Sequence, residues 1–250
     1  MGGVVREKVV SVPEGTVLVC GLPGSGYVGK LAADHLVDEL GLKKVAEYSS
    51  ESFPPQVNVK ADGTVEEQKG GVYFAKVDGK GLMVFTADAQ PTTSEGEYEL
   101  SDAVVGFAKK CGVGKVYTLA AYITGGFSDA PKVYGAGTSK EMLDALSGSG
   151  VTLMKDGAVS GMNGLLVGVA ALRGMEGGCL LGETSGYVVD AGASRAVLEV
   201  LSKVVGFSID TSKLKEKAEE TQKVISQLQA MAESAETSPQ PKRERPGYIG

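Results

Sequence analysis

The sequence predicts a three-layer α/β domain built on a mixed sheet, with helices on both sheet faces. Two observations carry this. Apolar, strand-like runs alternate with helical patterns from Thr16 to Phe207, the signature of layered α/β folds. Residues 56–86 read instead as a meander, so the sheet cannot be wholly parallel.

The first strand is "TVLVC", Thr16 to Cys20, which passes through glycines into "KLAADHLVDEL". There Leu31, Leu36 and Leu40, with Ala32 and Ala33, form an apolar stripe at helical spacing. "KKVAEYSS" is the next strand. "QVNVKADGTV" and "GVYFAKVDGKGLMVFTAD" follow as the meander, with Asp62-Gly63 and Asp78-Gly79 as its turns. "YELSDAVVGFAKKC" places Leu100, Val104, Phe107 and Cys111 on one helical face, with Gly112 as its C-cap. "GKVYTLAAYI" is another apolar strand. "TSKEMLDALSGSG" is a helix, with Thr138 and Glu141 spaced as a capping box. "VTLM" and "GGCLLGE" are strands with the helix "NGLLVGVAALRGM" between them, and "ASRAVLEVLSKVVGF" is a further helix.

Beyond residue 211 the composition changes. Residues 211–236 are charged and Gly-free, and Leu214, Ala218, Thr221, Ile225, Leu228 and Ala232 alternate spacings of four and three. That is a coiled-coil rhythm, and it equally suits a helix packed on its own domain. "TSPQPKRERPGYIG" holds three prolines and a charge run, a composition that forms no core. It ends in an apolar-aromatic tip, Tyr248-Ile249-Gly250, which reads as a docking peptide. The expected organisation is an α/β domain over 1–212, a helix over 213–235 and a disordered tail over 236–250.

Composition narrows the function classes. The 250 residues are 42% hydrophobic and 22% charged, with net charge −6 and no strongly basic block. This argues against nucleic-acid binding. The most apolar window is broken by Arg173 well short of a bilayer-spanning length, so no membrane partner is expected. The N-terminus is too charged for a signal peptide. Cys20, Cys111 and Cys179 are odd in number and sit in apolar runs, as buried reduced thiols of a cytoplasmic protein would. His35 is the single histidine, so a multi-histidine metal site is impossible. It lies beside the apolar stripe and reads as a surface or edge residue.

The glycines of "GLPGSGYVGK" invite a phosphate reading. Gly24, Gly26 and Gly29 spell G-x-G-x-x-G after a strand and before a helix, and Glu47 stands roughly where a ribose-binding acid belongs. Gly24, Gly29 and Lys30 also spell most of a triphosphate loop, but Leu31 replaces the magnesium-binding hydroxyl. The third reading is steric: glycines let the first helix start tightly against the sheet. Further candidates are Glu183, Asp88, Glu95 and Glu97 beside strand ends, as an acid–base pair or as turn and helix-start residues. Cys20 and Cys179 would be nucleophiles only with an activating base, and none is evident.

Taken together and in order, several segments resemble the proteasome assembly chaperone 2 family in its archaeal form. They are "GLPGSGYVGKLAADHLVDELG", "FPPQVNV", "TADAQP", "VYTLAAYITG", "VYGAGTSKEML", "GMNGLLVGVAALRGMEGGCLLGETSGYVVDAGASRAVLEVL" and "IDTSKLKEKA". The resemblance implies a fold akin to nucleoside phosphorylases, no enzymatic activity, no cofactor, homo-oligomers, and binding to the α subunits of the proteasome core particle. It also implies that the glycine motif shapes a turn without a nucleotide. A ligase- or phosphorylase-type nucleotide enzyme using Gly24, Gly26, Gly29 and Lys30 is the alternative. Docking partners in this family can end in hydrophobic–tyrosine–any residue. Here Tyr248 is third from the end and Gly247 precedes it, so tyrosine and terminal carboxylate stand one residue further apart, by about 3.3 Å.

Overall fold

The computed structural model describes residues 4–237. Its elements, in chain order, are β1 (Val4–Glu7), β2 (Val17–Gly21), a 3-10 turn (Ser25–Tyr27), α1 (Val28–Glu39), β3 (Lys43–Tyr48), β4 (Val57–Val59), β5 (Val65–Glu67), β6 (Gly70–Val77), β7 (Lys80–Ala87) and α2 (Ser94–Lys110). Then come β8 (Lys115–Ile123), β9 (Val133–Gly137), α3 (Lys140–Gly148), β10 (Thr152–Leu153), α4 (Met162–Leu172), β11 (Glu176–Thr184), α5 (Ala191–Val205) and α6 (Ser212–Thr237). Nine strands form one sheet in the order β1-β3-β6-β7-β2-β8-β11-β9-β10.

The centre, β7-β2-β8-β11, is parallel. The flanks β1, β3 and β6 are antiparallel to their neighbours, as is β9 to β11. The sheet is therefore mixed, as the meander predicts. Parallel central strands must be covered on both faces, and the sequence supplies that cover. In β2, Val17 and Val19 point into the core beneath α1, α3 and α5, while Leu18 and Cys20 point into the core beneath α2 and α4. Leu82 and Val84 of β7 join the first core, and Met83 and Phe85 the second. The period-2 alternation of a strand buried on both sides produces the two cores.

Local signals explain the element ends. Thr93 caps α2 by accepting from the Gly96 N–H at 3.1 Å, with Glu95 and Glu97 in the first turn and Lys109 and Lys110 in the last, matching the helix dipole. Asp78 and Gly79 both have positive φ, 50° and 79°, the conformation of a tight primed turn between β6 and β7.

Three expectations are corrected. The cap of α3 is Ser139, which accepts from the Met142 N–H at 3.1 Å; Thr138 instead accepts from the Gly177 N–H of β11. The residues at Asp62-Gly63 turn as expected, but β4 and β5 form a separate two-stranded hairpin off the main sheet. β1 and β9 are strands that the sequence reading left out; β9 carries glycines at 135 and 137 that depress its strand signal.

The root of α6 packs on α5, and Lys213 there pairs with Glu39 of α1. Leu214 is buried, Ala218 and Thr221 are half-buried, and Gln222, Lys223 and Val224 are exposed. The side chains of Ile225, Leu228 and Ala232 lie outside the described residues. So does the tail with Tyr248, Ile249 and Gly250. No helix among the described residues is long and apolar enough to cross a membrane.

Candidate functional site

In open α/β sheets ligands bind at the carboxyl ends of the parallel strands. Here that edge is built by the turns after β2, β7, β8 and β11. The glycine motif sits in the first of these, and two of its glycines, Gly26 and Gly29, answer to packing. A Cβ on Gly29 would fall 3.0 Å from the Leu119 carbonyl carbon of β8 and closer still to its oxygen. A Cβ on Gly21 would lie 2.7 Å from the Ala33 Cβ. These two glycines bring α1 down onto β2 and β8. Gly26 has φ +61°, and a Cβ there would meet Thr184 Oγ1 at 2.9 Å. Its carbonyl accepts from the Asp190 N–H at 2.8 Å. Gly24 is exposed and extended, near Gln90.

The polar groups around this turn are bound to one another. Gln90 donates through Nε2 to the Pro23 carbonyl at 2.5 Å and accepts through Oε1 from the Met162 N–H at 2.7 Å, tying the turns after β2 and β7 to the start of α4. Thr184 donates to Asp190 Oδ2 at 2.7 Å, and Asp190 Oδ1 caps α5 by accepting from the Ala193 N–H. Lys30 pairs with Asp34 at 2.7 Å, and Asp34 also accepts from Thr86 Oγ1. The lysine that a triphosphate loop would aim at phosphate is thus turned along its own helix. Glu47 lies on β3, three strand positions from β2, or about 14 Å, and pairs with Lys44 at 2.7 Å. The structure therefore separates Glu47 from the glycine turn.

The other candidates are dispersed. Asp88 follows β7 and Glu183 lies on β11, with β2 and β8 between those strands, so they are not at adjacent strand ends. Asp88 accepts from the Lys69 N–H and from Asn58 Nδ2, and Glu183 from the Lys132 N–H. Glu95 and Glu97 stabilise the first turn of α2. Cys20, Cys111 and Cys179 are free and buried. Burial pushes the Cys20 thiol far above its usual range and the Cys179 thiol up to about 11, the latter opposed by a hydrogen bond from Thr118. Neither is an activated nucleophile. His35 is buried, not on the surface; its Nε2 sits 2.7 Å from the Asp210 carbonyl, just before α6. Among the described residues no group of three or more His, Cys, Asp or Glu can hold a metal ion.

The sequence reading missed two features of this edge. One is the Gln90 bridge, whose partners lie 67 and 72 residues away. The other is a set of exposed apolar side chains on the surrounding turns: Tyr27, Ile123, Phe127, Tyr187 and Val189.

The comparisons with known proteins define the class. The PAC2 family matches residues 18–229, and the chain belongs to that family. Protein MJ1210 of Methanocaldococcus jannaschii is 36% identical over 250 residues, covering 98% of this chain and 96% of that one. The crystal structure of Pyrococcus furiosus PbaB, an archaeal proteasome activator, is similar with TM-score 0.81 and 33% identity, covering 92% of this chain and 98% of that one. Pyrococcus furiosus PbaA, an archaeal homolog of proteasome-assembly chaperone, is similar with TM-score 0.77 and 28% identity, covering 94% of each chain.

Proposed function

We propose that this protein is a non-enzymatic, cytoplasmic homo-oligomer that binds the α-ring of the proteasome core particle, as an assembly chaperone or activator-like partner. The observation that carries the reading is the likeness to PbaB over nearly the whole chain at 33% identity. The likeness to PbaA points the same way. At the strand-end turns Gln90, Thr184 and Asp190 are engaged in hydrogen bonds within the protein. In this reading residues 1–212 are a folded platform, 213–235 a helical arm, and 236–250 a tail. Tyr248, Ile249 and the Gly250 carboxylate are the proteasome contacts. A three-residue anchor binds weakly alone. Several such tails on one oligomer facing one ring gain roughly 10² to 10⁴ in affinity through effective concentration.

The test is capture of an archaeal proteasome core particle by the full-length protein beside a version lacking Tyr248 to Gly250. Loss of capture on truncation, with unchanged thermal unfolding, is expected. Equal capture by both would move the contact onto the folded domain. Capture by neither would sink the proteasome reading.

A further inference from the structure

The linker between α5 and α6, residues 206–211, is held from two sides by elements far away in the chain. Lys80, at the start of β7, donates through Nζ to the Val205 carbonyl at 2.6 Å. Asp78, in the turn before it, accepts through Oδ2 from the Ser208 N–H at 2.8 Å. On the other side, Nε2 of His35 in α1 lies 2.7 Å from the Asp210 carbonyl. A carbonyl only accepts, so this ring nitrogen carries the proton and donates. Glu39, one turn further along α1, accepts from Lys213 Nζ at 2.7 Å. Phe207 and Leu214 are buried at the two ends of the set. A connection of this kind is ordinarily where a chain bends. Here four side chains from two other elements grip it.

These bonds do little for the core. Asp78, Lys80, Ser208 and Lys213 are all exposed, and exposed polar contacts contribute little stability each. What they fix is geometry. Toward α1, α6 is not packed: a cleft of about 490 Å³ opens between the two helices. Five carboxylates and two lysines line it, with Asp34 and Asp38 of α1 facing Glu216 and Glu220 of α6. Like charges across the cleft oppose its closure. The direction of α6 therefore depends on its root. The helix has 26 residues and is about 39 Å long, so a tilt of about 10° at the root would carry its far end about 7 Å.

We propose that Asp78, Lys80, His35 and Glu39 are positioning residues that fix the direction in which α6 leaves the domain. The β6–β7 turn holds one side of the linker and α1 holds the other, so the domain itself aims the helix. This gives a role to two features that stand out in the sequence, the Asp78-Gly79 turn and the single histidine. The proposal deepens the proposed function, because α6 leads to the tail, and it rests on that reading only for its purpose. The direction of α6 is measurable without a proteasome.

The test places a bifunctional rhodamine on α6 of the full-length protein through Glu219→Cys and Lys223→Cys, exposed positions one turn apart, so that the dye moves with the helix. The native cysteines are buried and leave the dye to the introduced pair. Fluorescence anisotropy decay then reads the motion of α6 against the body. With the grip intact, α6 should tumble with the body in one slow decay. Asp78→Gly removes the carboxylate while tolerating the positive φ of 50° at that position, and His35→Phe removes the donor. Each should add a fast component. Asp78→Asn and His35→Gln keep an acceptor and a donor in place and should restore the slow decay. Hydrogen exchange at the Ser208 amide should quicken about 10-fold in Asp78→Gly, the effect of losing one hydrogen bond to a charged acceptor, with exchange in β2 and β8 unchanged. A slow decay that persists in both Asp78→Gly and His35→Phe would overturn the proposal, as would a fast component already present with the grip intact. Asn and Gln variants that behave like Gly and Phe would also overturn it, as would exchange that quickens equally in β2 and β8. The expected decays in a protein that captures no proteasome core would uphold the aim of α6 and sink only the proteasome reading.

Discussion

Gly29→Ala separates the steric role of the glycine turn from a phosphate-binding one. The added methyl would stand 3.0 Å from the Leu119 carbonyl carbon and nearer its oxygen, and both atoms belong to the central strand β8. A backbone carbonyl in mid-sheet cannot turn aside, so α1 must shift outward from β2 and β8. Overpacking of this kind costs typically 1–3 kcal/mol, here at about 3 because the obstacle is backbone. Alanine regains about 1 kcal/mol of helix propensity over glycine. The net loss is about 2 kcal/mol, or a Tm lowered by about 4–8 °C for a domain of this size. The matched control is Gly168→Ala in α4, where a Cβ meets nothing within 4 Å and propensity alone should stabilise by about 1 kcal/mol. Urea denaturation of both variants decides the matter. A Gly29→Ala protein as stable as the wild type would refute the packing argument, as would a Gly168→Ala protein destabilised to the same degree.

Further outcomes follow from the same geometry. Adding a nucleotide such as ATP or NAD should leave the unfolding transition where it is; a bound ligand at a hundred times its Kd would raise stability by about 2.7 kcal/mol, which thermal shift readily detects. Ser139→Ala should cost about 1 kcal/mol by denaturant unfolding, because it removes the acceptor for the Met142 N–H. Cys20 and Cys179 have folded-state pKa values raised above the ordinary thiol value of 9.0. The folded state therefore holds these protons longer than the unfolded chain, so their contribution is complete below pH 9 and lost as pH rises from 9 through about 11 and beyond. Stability measured between pH 8 and 11 should fall, and Cys179→Ala should flatten part of that slope. A profile unchanged by that substitution would show that Cys179 is not a source of it.

Much of the fold is legible in the chain because its signals are local. The apolar runs of β2 and β7, the helical stripe of which Ala32, Ala33 and Leu36 are buried while Leu31 and Leu40 are half-buried, the Asp78-Gly79 turn and the apolar setting of the cysteines all act within a few residues. Each of these was readable and each holds. The cap of α3 shows where local reading fails. Thr138 and Ser139 are equivalent hydroxyls one residue apart, and only the approach of β11, which gives Thr138 the Gly177 N–H, leaves the cap to Ser139. The strands β1 and β9 were missed for the same reason, since strands take their stability from partners that the segment does not contain.

The sequence by itself determined the alternation of elements, the mixed sheet, the reduced buried thiols and the family. The tertiary structure decided that Gly29 has no room for a side chain, because the carbonyl it would meet belongs to Leu119, ninety positions away. It decided that Gln90 ties the strand-end turns together, by bringing Pro23 and Met162 to the two ends of one amide. It also set the exposed side chains of Tyr27, Ile123, Phe127, Tyr187 and Val189 on turns at one edge of the sheet, although none stands out in its own segment. Periodicity and turn chemistry are properties of neighbours along the chain. Close approach and surface patches are properties of neighbours in space, and the chain alone does not state them.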